Sequence, residues 1–193
     1  MFPERQPTQA AAWIKGCSLI FHSRLDIITS TLEPGMKKPV KIFISYAHAN
    51  QELTSRFVAQ FKEFTRPSKA YLYDIWRDTD LLVGENWEAE IKQALKKCDF
   101  GLLLISASFL GSKYITSVEL ELLKTKSVIP VLLWPVDFNR HDLRGLQEKQ
   151  IFRLHKKGFQ RPKSYGECTT KQRVEFILAL FQQVEDRLDK IIP

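Results

Sequence analysis

The residues best equipped for chemistry are Glu119 and Glu121, in the stretch SASFLGSKYITSVELELL. On a helix turning about 100° per residue, Ile115, Val118 and Leu122 share one face. Glu119 falls inside that apolar arc, and Glu121 falls on the opposite side with Ser117 and Lys124. A carboxylate directed into a protein beside a strand end calls for a chemical use, because burying it unpaired is costly. One use suits a single carboxylate. Cleavage of a glycosidic bond passes through an oxocarbenium-like state with positive charge on the sugar. A neighbouring carboxylate stabilises that charge or orients a ribose hydroxyl. Where the leaving group is already cationic, as nicotinamide is in NAD, no general acid is needed and one glutamate suffices.

Other chemistries lack their residues. The sequence contains no GxGxxG and no GxxxxGK[ST], which leaves dinucleotide hydride transfer and P-loop phosphate chemistry unsupported. No GxSxG elbow is present, and His48 has no identifiable nucleophile beside it. Cys17, Cys98 and Cys168 are far apart and form no CxxC, so neither a disulfide framework nor a metal site is expected. The net charge of +7 favours anions. The one basic cluster, Arg153–Lys163, has no stripe of interleaved aromatics and reads as a solvated loop, not a nucleic-acid surface. No apolar run reaches the roughly 18 residues of a membrane span. Ala10–Phe21 is too short, is broken by Lys15 and Gly16, and lacks the basic start of a signal peptide. The expectation is a cytoplasmic protein with neither nucleic acid nor membrane as partner.

Alternating strands and helices must position these groups. Val40–Tyr46, Ala70–Trp76, Phe100–Ser106 and Val128–Trp134 read as strands. Pro130 makes the last of them short or near an edge. Asn50 is a candidate cap for a helix carrying Leu53, Phe57, Phe61 and Phe64, which Pro67 ends. Asn86 caps a second, with Trp87, Ile91, Ala94, Leu95 and Cys98 as its stripe. Thr169 and Gln172 form a capping box for a final helix, with Val174, Ile177, Leu178, Phe181, Leu188 and Ile191 facing the core. The strands are apolar almost throughout, so both faces of a parallel sheet should be covered. The expected fold is an α/β flavodoxin-like open sheet of order 2-1-3-4; any fifth strand in residues 135–168 would be short. Ligands of such sheets lie at the carboxyl ends where strand order reverses. That places Ser45, Tyr46 and the loop to Asn50 opposite Ser106–Ser112 and the start of the helix bearing Glu119. Residues 1–37, with Pro3, Pro7, Pro34 and Gly35, read as an extension to a domain spanning 38–193.

Four blocks in order resemble the TIR (Toll/interleukin-1 receptor) domain family of bacterial type: FISYAHAN (43–50), RDTDLLVGENWEAEI (77–91), SASFLGSKYITSVEL (106–120) and VIPVLLWPVDF (128–138). The resemblance covers about residues 38–138 closely and implies an NAD glycohydrolase or ADP-ribosyl cyclase in immune, antiviral signalling, with NAD as substrate and no cofactor. It implies Glu119 as the catalytic residue, the same glutamate the helical face singles out. It also implies Ser45 and Tyr46 at the substrate, and Trp76 and Asp78 on the pocket wall. Leu81, Leu82 and Gly84 fall in the BB loop, through which other TIR domains associate, and a separate effector protein would respond to the product. Many enzymatic members carry Trp four positions before the glutamate; here that residue is Ile115, leaving Tyr114 as the nearest stacking partner. Two alternatives stand beside this reading: a non-catalytic TIR–TIR interaction module, and a nucleoside deoxyribosyltransferase-like enzyme.

Overall fold

The structure, a computed structural model, describes residues 36–77, 93, 96–112 and 127–192. The strands are β1 (Lys38–Ser45), β2 (Tyr71–Arg77), β3 (Phe100–Ile105) and β4 (Ser127–Leu132). Among the described residues the α-helices are α1 (Gln51–Thr65), the short α2 (Ala107–Gly111) and α3 (Thr170–Ile191). Among the described residues the sheet has four strands in the order β2-β1-β3-β4, every neighbouring pair parallel. This is the flavodoxin-like arrangement expected from the sequence. Residues 1–35 and the helix stripe from Trp87 to Leu95, apart from Gln93, lie outside the described residues.

Parallel strands need cover on both faces, and alternate side chains supply it. Ile42, Ile44, Leu102 and Leu104 face a core built with Phe57 and Phe61 of α1 and with the inner side of α3. Phe43, Leu103, Ile105 and Leu132 face a second core closed by Phe109 and Leu110 of α2 and by Leu143. β3 is buried at all six positions, which explains its unbroken apolar sequence. Each fully buried large side chain of this kind contributes about 1.5–3 kcal/mol.

β4 accommodates Pro130 through its direction. The Leu132 N–H donates to the Phe152 carbonyl (3.0 Å) and the Phe152 N–H donates to the Pro130 carbonyl (2.7 Å). Residues 130 and 132 therefore direct their backbone groups away from β3, and the missing N–H of Pro130 costs no bond to the sheet. The bridge between Val131 and Phe152 occupies the place of a fifth strand. Nearby, Leu154 pairs antiparallel with Lys163. The basic cluster is thus a folded loop with several of its cations engaged: Lys156 with Glu175, Arg161 with Glu167, and Lys163 over the Phe159 ring.

α3 begins with the expected capping box of Thr169 and Gln172. Its buried seam shares Ile177 and Leu188 with the expected stripe and differs from it elsewhere. Phe176, Ile177, Leu180, Val184 and Leu188 are buried, whereas Val174, Leu178 and Ile191 are exposed. The helix carries apolar residues over more than one stripe, and the true seam is the one spaced by three and four from Phe176. The far end of the seam is locked to the edge strand by polar contacts. The Tyr71 hydroxyl donates to Asp189 (2.6 Å), and the Tyr73 and Ser68 hydroxyls both donate to Glu185 (3.2 and 2.5 Å).

Burial, then the Asp189 hydrogen bond and charge, then Glu185, push the Tyr71 phenol well above its ordinary range. Burial and Glu185 do the same to Tyr73. The native state holds these protons more tightly than the unfolded chain. Their contribution is therefore intact below about pH 10 and is lost as pH rises past it. Tyr71→Phe is expected to cost about 1.5–3 kcal/mol in urea unfolding at neutral pH, the value of a hydrogen bond to a charged group. The same variant is expected to flatten the alkaline fall in stability, with Tyr73 supplying what remains.

Candidate functional site

Two loops leave the sheet at the carboxyl ends of β1 and β3, and one side chain ties them together. Ser106, at 1% exposure, follows β3 directly. Its Oγ accepts from the Phe109 N–H (3.0 Å), capping α2, and donates to Asn50 Oδ1 (2.6 Å). Asn50 stands at the start of α1, as the sequence suggests, but its side chain makes no capping bond there. The helix-capping oxygen expected of Asn50 is spent across the crevice on Ser106. A short His48–Asn50 turn of 3-10 helix leads into α1 instead.

Ser45 ends β1, is 2% exposed and lies in register with Leu103 of β3. Strand alternation puts it on the same face as Phe43. Trp76 of β2 is in register with Phe43, and the two rings stack with centroids 5.2 Å apart at 28°. The fold therefore brings Ser45 and Trp76 to one face of the sheet. Tyr46 goes to the other. It is 2% exposed within the α1-side core, its ring 5.8 Å from that of His48. Asp78, Leu81, Leu82, Gly84, Tyr114 and Glu119 lie outside the described residues.

A buried serine hydroxyl and a half-buried indole on one face can hold a sugar hydroxyl and a planar ring. Neither is a proton-transfer group. Among the described residues no group of three or more His, Cys, Asp or Glu could hold a metal ion, and no helix is long and apolar enough to cross a membrane. The Ser106–Asn50 link was not anticipated. Its only local signal is a serine three residues before Phe109 at a strand end, which marks a helix cap but not a partner 56 residues away.

The family model for the TIR domain matches residues 42–165, well over half of the chain. The chain belongs to the TIR domain family. The matched span takes in all but the first residues of β1 and runs past β4 to Tyr165, so it includes both crevice loops of this TIR domain. An uncharacterised protein, y4lF of Sinorhizobium fredii (strain NBRC 101917 / NGR234), is 27% identical over 104 residues, or 51% of this chain. The matched stretch spans only 31% of that relative's length. Among solved structures, similarity is found to the TIR domain of the Toll-related receptor TRR-2 from Hydra magnipapillata. The identity is 16% and the TM-score 0.49, covering 75% of this chain and 97% of that one. The RPS4 and RRS1 TIR domain heterodimer gives 16% identity and a TM-score of 0.46, covering 77% and 97%. At these values neither structure bears on activity.

Replacing Ser106 by Ala removes the α2 cap and leaves Asn50 Oδ1 without its donor. Ser106→Ala is expected to destabilise by about 1–3 kcal/mol, measured by denaturant unfolding. Asn50→Ala, which leaves the cap in place, is expected to cost less.

Proposed function

We propose that this TIR domain cleaves the nicotinamide–ribose bond of NAD. The parallel pairing of β1 with β3 supports this reading. It sets Ser45 at the reversal of strand order, where open α/β sheets take ligands. In the sequence, Glu119 lies in the segment after β3, on the apolar arc of its helix pattern. In the reaction, the C1′–N bond breaks and nicotinamide leaves neutral with the bonding pair. Glu119 stabilises the oxocarbenium charge. Water, or a nucleophile of the substrate itself in the cyclising variant, then attacks C1′ and gives up a proton. Ser45, Trp76, Asp78 and Tyr114 hold the substrate. Tyr46, with its ring in the core, fixes the end of β1 behind them.

Leu81, Leu82 and Gly84 form the contact through which TIR domains of this kind self-associate, and assembly completes the pocket. The product signals to a separate effector in the cytoplasm, as part of antiviral immunity. Purified protein, concentrated or crowded with NAD, is expected to release nicotinamide, with a rate rising more steeply than protein concentration. Glu119→Ala is expected to lower the rate at least a hundredfold. Absence of release under every assembly condition would sink the enzymatic reading. Release that survives Glu119→Ala would remove that residue from its role.

A second reading, a non-catalytic TIR–TIR interaction module, draws on Ile115, which stands where many enzymatic members have Trp. In that case Leu81→Ala abolishes association while Glu119→Ala leaves it intact, and neither variant nor wild type turns over NAD.

A further inference from the structure

On the α1 face, opposite the face of Ser45 and Trp76, a cavity of about 350 Å³ opens at the start of α1. Asn50, Glu52, Leu53 and Arg56 line it from the α1 side, with Arg173 of α3 and Trp134 just beyond β4. We propose that this cavity binds a nucleoside monophosphate, with the base on the Trp134 indole and the phosphate on Arg173 and the first turn of α1.

The indole is a fixed platform. The backbone N–H groups of Leu133 and Trp134 both donate to the Ile105 carbonyl (2.9 and 3.2 Å), and the Gly166 N–H donates to the Leu133 carbonyl (2.8 Å). The ring lies directly on Gly166: a Cβ there would sit 2.0 Å from Cε3 and 2.3 Å from Cζ3 of Trp134. One part of the ring is thus seated on peptide backbone, while the side chain keeps 48% exposure. A rigid, half-open aromatic surface offers stacking area at little ordering cost.

The anion end is built from independent parts. The Arg173 Nε donates to the Tyr165 carbonyl (3.4 Å), and its guanidinium lies 5.1 Å from the centre of the Tyr165 ring. Its two terminal nitrogens have no hydrogen-bond partner, and it has no carboxylate within ion-pair distance, among the described residues. Arg56 is paired with Glu52 (2.5 Å), so the lining keeps one positive charge in excess. With the Asn50 side chain drawn away to Ser106, α1 has no side-chain cap: its Gln51 N–H donates to the His48 carbonyl, and the amides that follow receive no oxygen from Asn50. Those amides sit at the positive end of a helix of 15 residues. The volume lies at the small end of ligand pockets, roughly 300–1,000 Å³, the scale of a mononucleotide and not of a dinucleotide.

The test is calorimetric titration of the full chain with AMP, adenosine and inorganic phosphate, read in parallel with tryptophan fluorescence. AMP is expected to bind one to one and quench the fluorescence, and adenosine and phosphate to bind at least tenfold more weakly. Trp134→Ala and Arg173→Gln are each expected to weaken AMP at least tenfold, with thermal melts showing that both variants remain folded. Gly166→Ala keeps every lining residue but displaces the indole, and is expected to weaken AMP as well. Ser45→Ala, on the other face, is expected to leave binding unchanged. Absence of AMP binding at millimolar concentration overturns the proposal, and so does AMP binding no tighter than phosphate. AMP binding that ignores Trp134→Ala and Arg173→Gln, or that follows Ser45→Ala, also overturns it.

Discussion

β3 and the second half of β1, Ile42–Ser45, are hidden on both faces, and this constraint governs where polar groups can stand. A parallel strand between two layers has no solvent side, so a polar side chain in its middle would be stranded. β3 answers with six buried residues and no side-chain hydrogen-bonding group. Polar chemistry is thereby pushed to the strand ends, where Ser45 and Ser106 stand at the reversal of strand order. Both serines are buried, and Ser106 meets its hydrogen-bonding needs with the α2 amide and the Asn50 side chain. The crevice is polar because it lies where these buried runs end.

The same constraint accounts for what the amino-acid sequence makes legible. Apolar runs flanked by helical periodicity identify the strands, unbroken in Phe100–Ile105 and Val128–Trp134 and interrupted by Lys41 and Asp74 in the other two, and four such runs suffice for the parallel sheet. Position within an element was legible where a local bond decides it, as with Thr169 and Gln172. It was not legible where tertiary contacts choose among equivalent options. Val174, Leu178 and Ile191 satisfy helical spacing as well as Phe176, Leu180 and Val184 do, and only the shape of the sheet tells α3 which stripe to bury. Asn50 shows the same limit at one side chain: its type suits a cap, but a serine 56 residues away takes the oxygen. Trp134 read as the end of a strand, and nothing near it in the chain announces that Gly166 forms its seat.

The two faces of this TIR domain have separate characters. One carries Ser45, Phe43 and Trp76, close to the strand-order reversal and to the loops whose sequence blocks define the family. The other is built by α1 and α3, held to the sheet edge by Tyr71 and Tyr73, with Trp134 and Arg173 at its upper end. The Ser106–Asn50 bond crosses from β3 to the start of α1, so the two faces share one mechanical joint.

The geometry at Pro130 has a further meaning for how copies of this domain can meet. Sheet proteins aggregate when an exposed edge offers a regular row of donors and acceptors to another chain. The outer edge of β4 offers no such row: one donor is missing at Pro130, and the donor at Leu132 and the acceptor at Pro130 are consumed by Phe152. A foreign strand arriving there finds no ladder to continue. On this side the sheet is self-terminating, and association between copies must proceed through side chains and loops, which can be regulated, and not through backbone pairing, which cannot.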